Sequence, residues 1–217
     1  MELTTATLVM VTDKPVKESG TYLRGFIGNK YRERLLLHHH LEKACLYQYP
    51  KVQYKVFDGT PIILGLCEGS DELKKIAFDF DKLTLNSNRY KVVKRQFIEG
   101  KQSFGSLLKP KNYQFLTPWI ALNEENYSKY SKMNSKEQTL LLHKILIGNI
   151  LSAAKSFDYV VLEEIFVKTE VKPVPIVYKG FSMIGFLGRF TVNFDLPEYI
   201  GLGKGVSQGF GTVKTVV

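Results

Sequence analysis

Residues 52–67 read VQYKVFDGTPIILGLC and consist of two apolar runs, 52–57 and 61–67, around Asp58-Gly59-Thr60. Runs of this length that are rich in Val, Ile and Tyr predict strands. Asp-Gly between two such runs is the strongest short-range signal for a tight hairpin turn. We therefore predict a β-hairpin here, and it forms the centre of the predicted fold.

The segments on both sides of the hairpin predict one helix and one strand each. Upstream, residues 3–11 are apolar and β-branched enough for a strand, and apolar residues at helical spacing follow Ser19. Downstream, Ser-Asp-Glu at 70–72 places acidic residues in the first turn of a short helix, and residues 83–97 are extended again. The predicted order is strand, helix, hairpin, helix, strand.

The second half of the chain predicts the same order less completely. Residues 113–122 predict a strand, and Ser-Lys-Glu-Gln at 135–138 fits a capping box for an apolar helix over 140–154. Between the third strand and the C-terminal glycines, only a vestige at 195–199 stands in for the second helix. Further strands are predicted at residues 157–167, 173–178, 181–194 and 213–217.

The repeated order is the βαββαβ arrangement of ferredoxin-like folds, which RNA-recognition domains use. We expect an α+β protein with two tandem ferredoxin-like (RRM-like) βαββαβ halves and a C-terminal glycine-rich loop. Lys-Pro-Lys-Asn at 109–112 interrupts the pattern of apolar residues. The predicted domains are therefore residues 1–109 and residues 110–217.

The chain of 217 residues carries 30 Lys and Arg against 21 Asp and Glu, a net charge of +9 with a pI near 9.4. This excess favours a polyanionic partner such as nucleic acid or an acidic membrane face, although an ordinary basic enzyme has the same composition. Residues 17–55 hold eight basic and three acidic residues, and residues 86–114 hold seven and one. These two windows carry more than the whole net charge.

Cysteine content and hydropathy bound the cellular location. Cys45 and Cys67 are the only cysteines, and they form no CxxC pair. This low cysteine content excludes a Cys-rich zinc site and favours a reducing compartment. The N-terminus lacks the basic region of a signal peptide, and no run of 18 apolar residues predicts a membrane span. We expect a soluble, cytoplasmic protein.

Residues 201–211 read GLGKGVSQGFG, with five glycines in eleven residues. Glycine allows positive φ and lets backbone N–H groups approach an anion, and Lys204 adds a cation, so the loop suits a phosphate backbone. A Walker A motif is excluded because Gly205 follows the lysine, and a dinucleotide fingerprint because too few residues remain for its helix. A flexible turn before a terminal strand is the alternative interpretation.

Three consecutive histidines, His38-His39-His40, are the other unusual feature. They fit an exposed polar turn, a metal site or acid–base catalysis. Adjacent histidines cannot all face one ion, and Glu42 is the one carboxylate at a ligand-like spacing, which disfavours the metal. Histidine can act as base or acid near neutral pH, as RNA cleavage by its own 2′-hydroxyl requires. His38 and His40 share a face if extended, and His40 lies two turns from Tyr47 if helical.

The glycine loop fits Gly-h-Gly-x5-Gly-h-Gly, where h is apolar and x is any residue. This pattern resembles the C-terminal signature of the RAMP superfamily, and within it that of the CRISPR-associated endoribonuclease that cuts repeat RNA, the Cas-six family. The resemblance implies that the loop contributes to RNA backbone binding and to the packing of the second half. The tandem ferredoxin-like layout extends the similarity over the whole chain.

The b-type, subtype I-B relatives carry a lysine, a His-x-His pair and a tyrosine, and Lys30, His38, His40 and Tyr47 match these positions. His39 fills the middle of the pair. Tyr-Pro at 49–50 and Gln-Tyr-Lys at 53–55 are also similar to the strand that follows the family's catalytic region.

The resemblance implies a role for each matching residue. His40 is the expected principal acid–base residue and His38 its partner, while Tyr47 orients the 2′-hydroxyl and Lys30 neutralises charge. We expect neither a metal nor a cofactor. The residues expected to contact RNA are Arg24, Arg32, Arg34, Lys51, Lys55, Lys94, Arg95, Gly203, Lys204, Gly205, Ser207 and Gln208.

The leading hypothesis is a metal-independent endoribonuclease that cleaves CRISPR precursor RNA within each repeat. A catalytically silent RAMP subunit that only binds guide RNA in an effector complex is the competing class, and a metal-dependent nuclease is the third. The expected partner is repeat RNA, with the effector complex and a homodimer left open.

Overall fold

The computed structural model of the protein describes residues 1–38 and 49–216, and the side chain of His38 lies outside that description. The chain divides into two compact units. The first contains the described residues of 2–102 together with Val206–Gly209, and the second contains Met1, Ser103–Gly205 and residues 210–216. Four residues of the glycine-rich loop therefore belong to the same unit as the N-terminal strands.

The elements of the first unit are β1 (Glu2–Thr12), α1 (Gly20–Lys30), α2 (Leu35–His38), β2 (Val52–Phe57), β3 (Thr60–Leu66), α3 (Glu68–Ile76), β4 (Lys82–Leu85) and β5 (Asn88–Ser103). The five strands form one sheet with the strand order β2-β3-β1-β5-β4. Asp58 and Gly59 join β2 to β3, and both have positive φ, +47° and +74°. Two central residues with positive φ are the requirement of a type I′ turn, so the predicted hairpin and its turn are confirmed.

The core of the first unit lies where helices α1 and α3 meet the sheet. Leu8 and Met10 alternate along β1 and are fully buried, and Leu23 and Ile27, one helical turn apart on α1, join the same cluster. Each such side chain contributes about 1.5–3 kcal/mol when it leaves water. The apolar face of the strand, which repeats every second residue, therefore packs against the apolar face of the helix, which repeats about every 3.6 residues.

The elements of the second unit are β6 (Gly105–Trp119), α4 (Glu124–Tyr130), α5 (Ser135–Ser156), β7 (Val167–Tyr178), β8 (Phe181–Asp195) and β9 (Val213–Thr215). Its four strands form a sheet with the strand order β7-β8-β6-β9. Both sheets place the first strand of the unit between the third and the last, which is the ferredoxin-like order. The predicted tandem ferredoxin-like fold is confirmed, and a single 3-10 turn at Val206–Gln208 lies between β8 and β9 where a second helix is expected.

Aromatic side chains fill the core of the second unit. Trp119 stacks on Phe115 with ring centroids 5.3 Å apart, and its indole N–H donates to the Asn149 side chain at 2.9 Å. Leu146 and Ile150, one turn apart on α5, are fully buried. The apolar stripe of α5 thus covers one face of this sheet, as its sequence predicts.

Several local predictions are wrong. Residues 109–112 do not interrupt regular structure, because β6 runs through them, and Pro110 is tolerated where the pairing of β6 with β8 shifts register between Ser106 and Lys111. The extended stretch 83–97 is split by a turn at Asn86, whose φ is +53°. Residues 157–166 form no strand, and helix α4 was not predicted.

The capping box of α5 is displaced by one residue from its predicted position. Asn134, not Ser135, is the N-cap, and its side chain accepts from the backbone N–H groups of Lys136 and Glu137. The Glu137 carboxylate in turn accepts from the Asn134 N–H at 2.9 Å.

No helix in the described ranges is both long and apolar enough to span a membrane.

Candidate nucleic-acid interface

The histidine cluster and its tyrosine lie mostly outside the described residues. His39, His40 and Tyr47 fall within residues 39–48, and only the backbone of His38, at the end of α2, is described. The structure therefore contributes the two flanks of this segment, α2 on one side and the start of β2 on the other. Of the candidate catalytic residues, Lys30 is the one whose side chain the structure describes.

Lys30 is exposed in the last turn of α1, and its amine lies 5.7 Å from the centroid of the Tyr31 ring. It lines a surface groove of about 700 Å³ between α1 and the α3–β4 region. Tyr22, Phe26 and the acidic Asp79 also line the groove. A phosphate beside Lys30 would find a cation here and aromatic surface within the same groove.

Tyr54 holds the N-terminal flank of the histidine segment. Its hydroxyl, fully buried, donates to the backbone carbonyl of Leu37 at 3.0 Å. Burial raises the pKa of this phenol, although the nearby Arg24 guanidinium opposes the shift, so the hydroxyl remains a donor at every physiological pH. Strand β2 thereby fixes the residue that precedes His38.

Lys55 holds the other flank through Gln53, its neighbour on the same face of β2. The Lys55 amine donates to the Gln53 side-chain oxygen at 2.9 Å, and the Gln53 amide N–H groups approach the Tyr49 hydroxyl at 3.0 Å and the Pro50 carbonyl at 3.2 Å. Burial lowers the pKa of the Lys55 amine from 10.5 to about 7. The expectation that Lys55 contacts RNA does not match this position, since its amine is buried.

The other basic residues expected to contact RNA occupy different settings in the first unit. Arg34 pairs with Glu72 at 3.0 Å, and the Lys51 amine lies 3.8 Å from Glu68. The Arg95 guanidinium donates to the Phe80 carbonyl and lies over the Phe80 ring. Two further basic residues are exposed, Arg32 and Lys94.

The glycine-rich loop uses many of its backbone groups within the protein. The N–H groups of Leu202, Lys204 and Gly211 donate to the carbonyls of Gly211, Ile120 and Pro118 at 2.9, 3.1 and 2.9 Å. Bonds of this kind leave those N–H groups unavailable for a phosphate. The loop is therefore an ordered structural element, and the alternative of a flexible turn does not describe it.

The middle of the loop, Val206–Gly209, packs within the first unit. Gly209 has φ +93°, and a Cβ atom there would lie 2.7 Å from the Tyr54 carbonyl oxygen, which only glycine avoids. The Thr21 hydroxyl on α1 lies 3.4 Å from the side-chain oxygen of Gln208. The structure thus brings Gln208 close to α1 and to Tyr54, with Arg24 near enough to affect the Tyr54 pKa.

Of the remaining loop residues of the expected RNA set, Gly203, Lys204 and Gly205 precede this middle segment, and Ser207 lies within it. The Lys204 side chain is exposed, whereas Gly203, Gly205 and Ser207 are partly covered. A Cβ atom at Gly203, with φ +89°, would meet the Ile120 carbonyl oxygen at 2.7 Å. These glycines serve close backbone packing in the structure.

His143, the fourth histidine, has a structural contact in the second unit. Its Nε2 accepts from the Thr169 backbone N–H at 3.0 Å, and burial lowers the pKa of its imidazole, so the ring is held neutral. In residues 1–38 and 49–216, no three His, Cys, Asp or Glu side chains lie together in a way that could hold a metal ion.

Sequence reasoning missed two features near these residues. One is the buried Lys55–Gln53 pair, because period-2 alternation places the two side chains on one face of β2 but does not indicate that this face is buried. The other is a second groove of about 660 Å³ in the second unit, where Lys204 lies with the exposed aromatic residues Tyr127 and Phe181. The Lys-Gly pair at 179–180 between two apolar runs is the signal that places Phe181 at a hairpin tip.

Comparison with known proteins covers almost the whole chain. Residues 1–103 match the Cas6b N-terminal domain, and residues 106–216 match the Cas6b C-terminal domain. An uncharacterized protein of Methanocaldococcus jannaschii is 41% identical over 143 residues, which cover 65% of this chain and 97% of the relative.

Solved structures agree with the two family matches. A crystal structure of Cas6b is 35% identical with a TM-score of 0.92, and one of a CRISPR RNA processing endoribonuclease Cas6b is 33% identical with a TM-score of 0.81; each covers 100% of both chains. A type IV Cas6 crRNA endonuclease, at 11% identity and a TM-score of 0.57, shares the fold. Because both halves match in order and at full length, the chain belongs to the Cas6b family.

Proposed function

We propose that this protein is a metal-independent endoribonuclease that cleaves CRISPR precursor RNA within its repeats. The observation that carries the proposal is full-length similarity, at 33% identity, to the crystal structure of a CRISPR RNA processing endoribonuclease. The setting of Lys30 supports it, because this exposed cation lines a groove together with two aromatic residues and precedes, along the chain, the helix that ends at His38.

The reaction uses the nucleophile that RNA itself carries. One histidine of the pair His38 and His40 removes the proton of the 2′-hydroxyl, and the 2′-oxygen then attacks the adjacent phosphorus. The bond from phosphorus to the 5′-oxygen breaks, and the second histidine protonates that leaving oxygen. The products are a 2′,3′-cyclic phosphate and a 5′-hydroxyl, and no metal enters the balance.

The two other candidates act on charge and alignment. Lys30 lies beside the growing negative charge of the phosphorane, where a preorganised cation lowers the barrier. Tyr47 orients the 2′-hydroxyl for in-line attack. Cleavage in the cytoplasm would meet the precursor RNA at its site of synthesis.

The proposed RNA contacts follow exposure and charge. The backbone of the RNA would meet basic or polar side chains that reach the surface, and single strands favour basic grooves with aromatic neighbours. Lys55 is left out because its amine is buried against Gln53. The proposed contacts are Arg24, Arg32, Arg34, Lys51, Lys94, Arg95, Lys204, Ser207 and Gln208, with Gly203 and Gly205 shaping the loop that presents them.

The test uses repeat RNA and the same RNA with a 2′-deoxy sugar at the scissile nucleotide, both incubated with the protein in EDTA. Cleavage of the all-ribose RNA alone is the expected result. Cleavage that stops in EDTA would indicate a metal-dependent nuclease, and binding without cleavage would indicate a silent RNA-binding subunit.

His40→Ala supplies the residue-level test. We expect it to abolish cleavage while RNA affinity stays within about tenfold, because acid–base groups contribute mainly to the chemical step. His39→Ala is the matched control, since the His-x-His pair of the b-type relatives assigns no catalytic role to the middle position. A His40→Ala protein that cuts at the wild-type rate would remove this residue from the site.

A further inference from the structure

A groove in the second unit combines exposed aromatic surface with lysine side chains. It has a volume of about 660 Å³, within the range of about 300–1,000 Å³ of sites for small organic groups. It is lined by Tyr127, which is 47% exposed, by Phe181, which is 72% exposed, and by the apolar Met183 and Ile184. Two large rings left this accessible beside apolar side chains indicate a binding surface.

The walls of this groove are held in place before any ligand arrives. Lys179 and Gly180 have φ values of +52° and +83°, the positive pair of a tight I′ hairpin turn, which fixes Phe181 at the tip. Tyr178 packs edge-on against Phe210 with ring centroids 5.5 Å apart. On the opposite wall, the Asn123 side chain accepts from the Asn126 N–H at 2.7 Å, which caps α4 and sets the direction of Tyr127.

The charges at the rim select the chemistry of the occupant. Lys179 and Lys204 line the groove and are exposed, and Glu124 is the carboxylate among the lining residues. The neighbouring Glu125 is paired with Lys129 at 2.6 Å. The rim therefore favours a ligand that carries an anion next to a flat apolar group. A nucleotide has both, its phosphate and its base.

We propose that this groove binds an unpaired nucleotide of the RNA substrate, with its base stacked on Phe181 or Tyr127 and its phosphate beside Lys204. The inference rests on the proposed function, because it takes the ligand to be RNA. Aromatic stacking accepts any base, so the groove would recognise single-stranded character more than sequence. A paired nucleotide cannot offer its base face to a ring.

The test compares groove variants with an exposed phenylalanine elsewhere in the same unit. Phe181→Ala and Tyr127→Ala are the groove variants, and Phe166→Ala, at 57% exposure, is the control. Binding is measured with repeat RNA whose unpaired nucleotides are replaced one at a time by an abasic site or by 2-aminopurine. All three side chains are exposed, so the fold should tolerate each change.

We expect Phe181→Ala to raise the Kd about 5- to 100-fold, in line with the loss of one base–aromatic stack, and Phe166→Ala to leave it unchanged. One abasic position should weaken wild-type binding to the same degree and add nothing further in Phe181→Ala. The fluorescence of 2-aminopurine at that position should be quenched by the wild type and restored in the variant.

The outcomes separate this inference from the proposed function. Equal affinity of every variant, while the wild type still cuts repeat RNA, overturns the groove alone. Groove-dependent binding without any cleavage supports the groove and overturns the proposed catalytic activity. A groove variant that alters the sedimentation of the free protein and leaves RNA binding intact would assign the surface to a second copy of the chain, against this inference.

Discussion

The Tyr54 hydroxyl donates a 3.0 Å hydrogen bond to the carbonyl of Leu37, one residue before His38. On the opposite face of the same strand, Gln53 contacts Tyr49 and the carbonyl of Pro50. Adjacent residues of β2 therefore hold both flanks of the segment that carries the candidate catalytic histidines. Strand β2 therefore supports the residues on both sides of this segment.

Tyr54→Phe removes one of these supports without opening a cavity. We expect a decrease in kcat with little change in RNA affinity, because the lost bond positions His38 and contacts no RNA. The loss of one buried hydrogen bond should cost about 0.5–1.5 kcal/mol of stability. Single-turnover cleavage and filter binding measure the two quantities.

Tyr113→Phe is the matched control for that variant. The Tyr113 hydroxyl is also buried in the second unit, where it accepts from the Leu196 N–H at 3.0 Å and donates to the Asp195 carboxylate at 3.2 Å. Tyr113→Phe should lose at least as much stability as Tyr54→Phe and keep the cleavage rate. If the two variants lose the same activity, Tyr54 contributes only to stability.

Lys55→Met tests the buried amine through the pH dependence of stability. Burial lowers the pKa of Lys55 from 10.5 to about 7, so between these values the unfolded chain binds more protons than the folded chain. The free energy of unfolding of the wild type should therefore rise with pH across this window, relative to the variant, and fall as the pH returns towards 7. Urea unfolding at several pH values measures the difference.

The control for Lys55→Met is Lys94→Met, which removes an exposed lysine from β5. Its stability should follow that of the wild type at every pH within the window. Parallel curves for the wild type and Lys55→Met would contradict the buried, neutral amine.

Lys30→Gln tests the proposed electrostatic role at the candidate site. Loss of one preorganised group that stabilises charge in a transition state typically lowers kcat about 10²- to 10³-fold, and we expect a decrease of this order. Lys82→Gln is the control, because Lys82 lines the same groove. Equal decreases in both variants would indicate general attraction of RNA and no specific role for Lys30.

Gly209→Ala tests the packing of the glycine-rich loop in the first unit. With φ +93° and a new Cβ atom 2.7 Å from the Tyr54 carbonyl oxygen, alanine should destabilise the protein by more than about 1 kcal/mol. Gly148→Ala on α5 meets no atom within 4 Å and should stabilise its helix by up to about 1 kcal/mol. Thermal unfolding compares the two, and a neutral Gly209→Ala would refute the packing.

Elements with strong local signals could be predicted from the sequence. Asp58-Gly59 favours the positive φ values that its turn requires. Helix α1 and the apolar stripe of α5 are marked by apolar residues at helical spacing. Pro110 could not be placed, because a register shift in β6 decides whether its missing N–H is costly, and that shift depends on the partner strand β8. Helix α4 is too short and polar for periodicity to reveal it.

For the candidate site, the sequence indicates which types of residue take part better than it indicates whether their side chains are exposed or buried. Lys30 proved to be an exposed cation, as a phosphate neighbour requires. The burial of Lys55 depends on what covers the outer face of β2, and the sequence of one strand does not contain that information. The sequence indicates that the loop glycines let backbone N–H groups approach a phosphate. In the structure, long-range hydrogen bonds, such as that from the Lys204 N–H to the Ile120 carbonyl, determine the conformation of the loop.

The assignment of Val206–Gly209 to the first unit has a consequence for how the protein is made. On the ribosome, N-terminal domains usually fold first, while the rest of the chain is still being synthesised. Here Tyr54 and Gly20 must wait for Gln208 and Gly209, which are translated more than 150 residues later. Truncated translation products therefore lack a finished first unit, and a chain interrupted before residue 206 yields no complete N-terminal half with which to bind RNA.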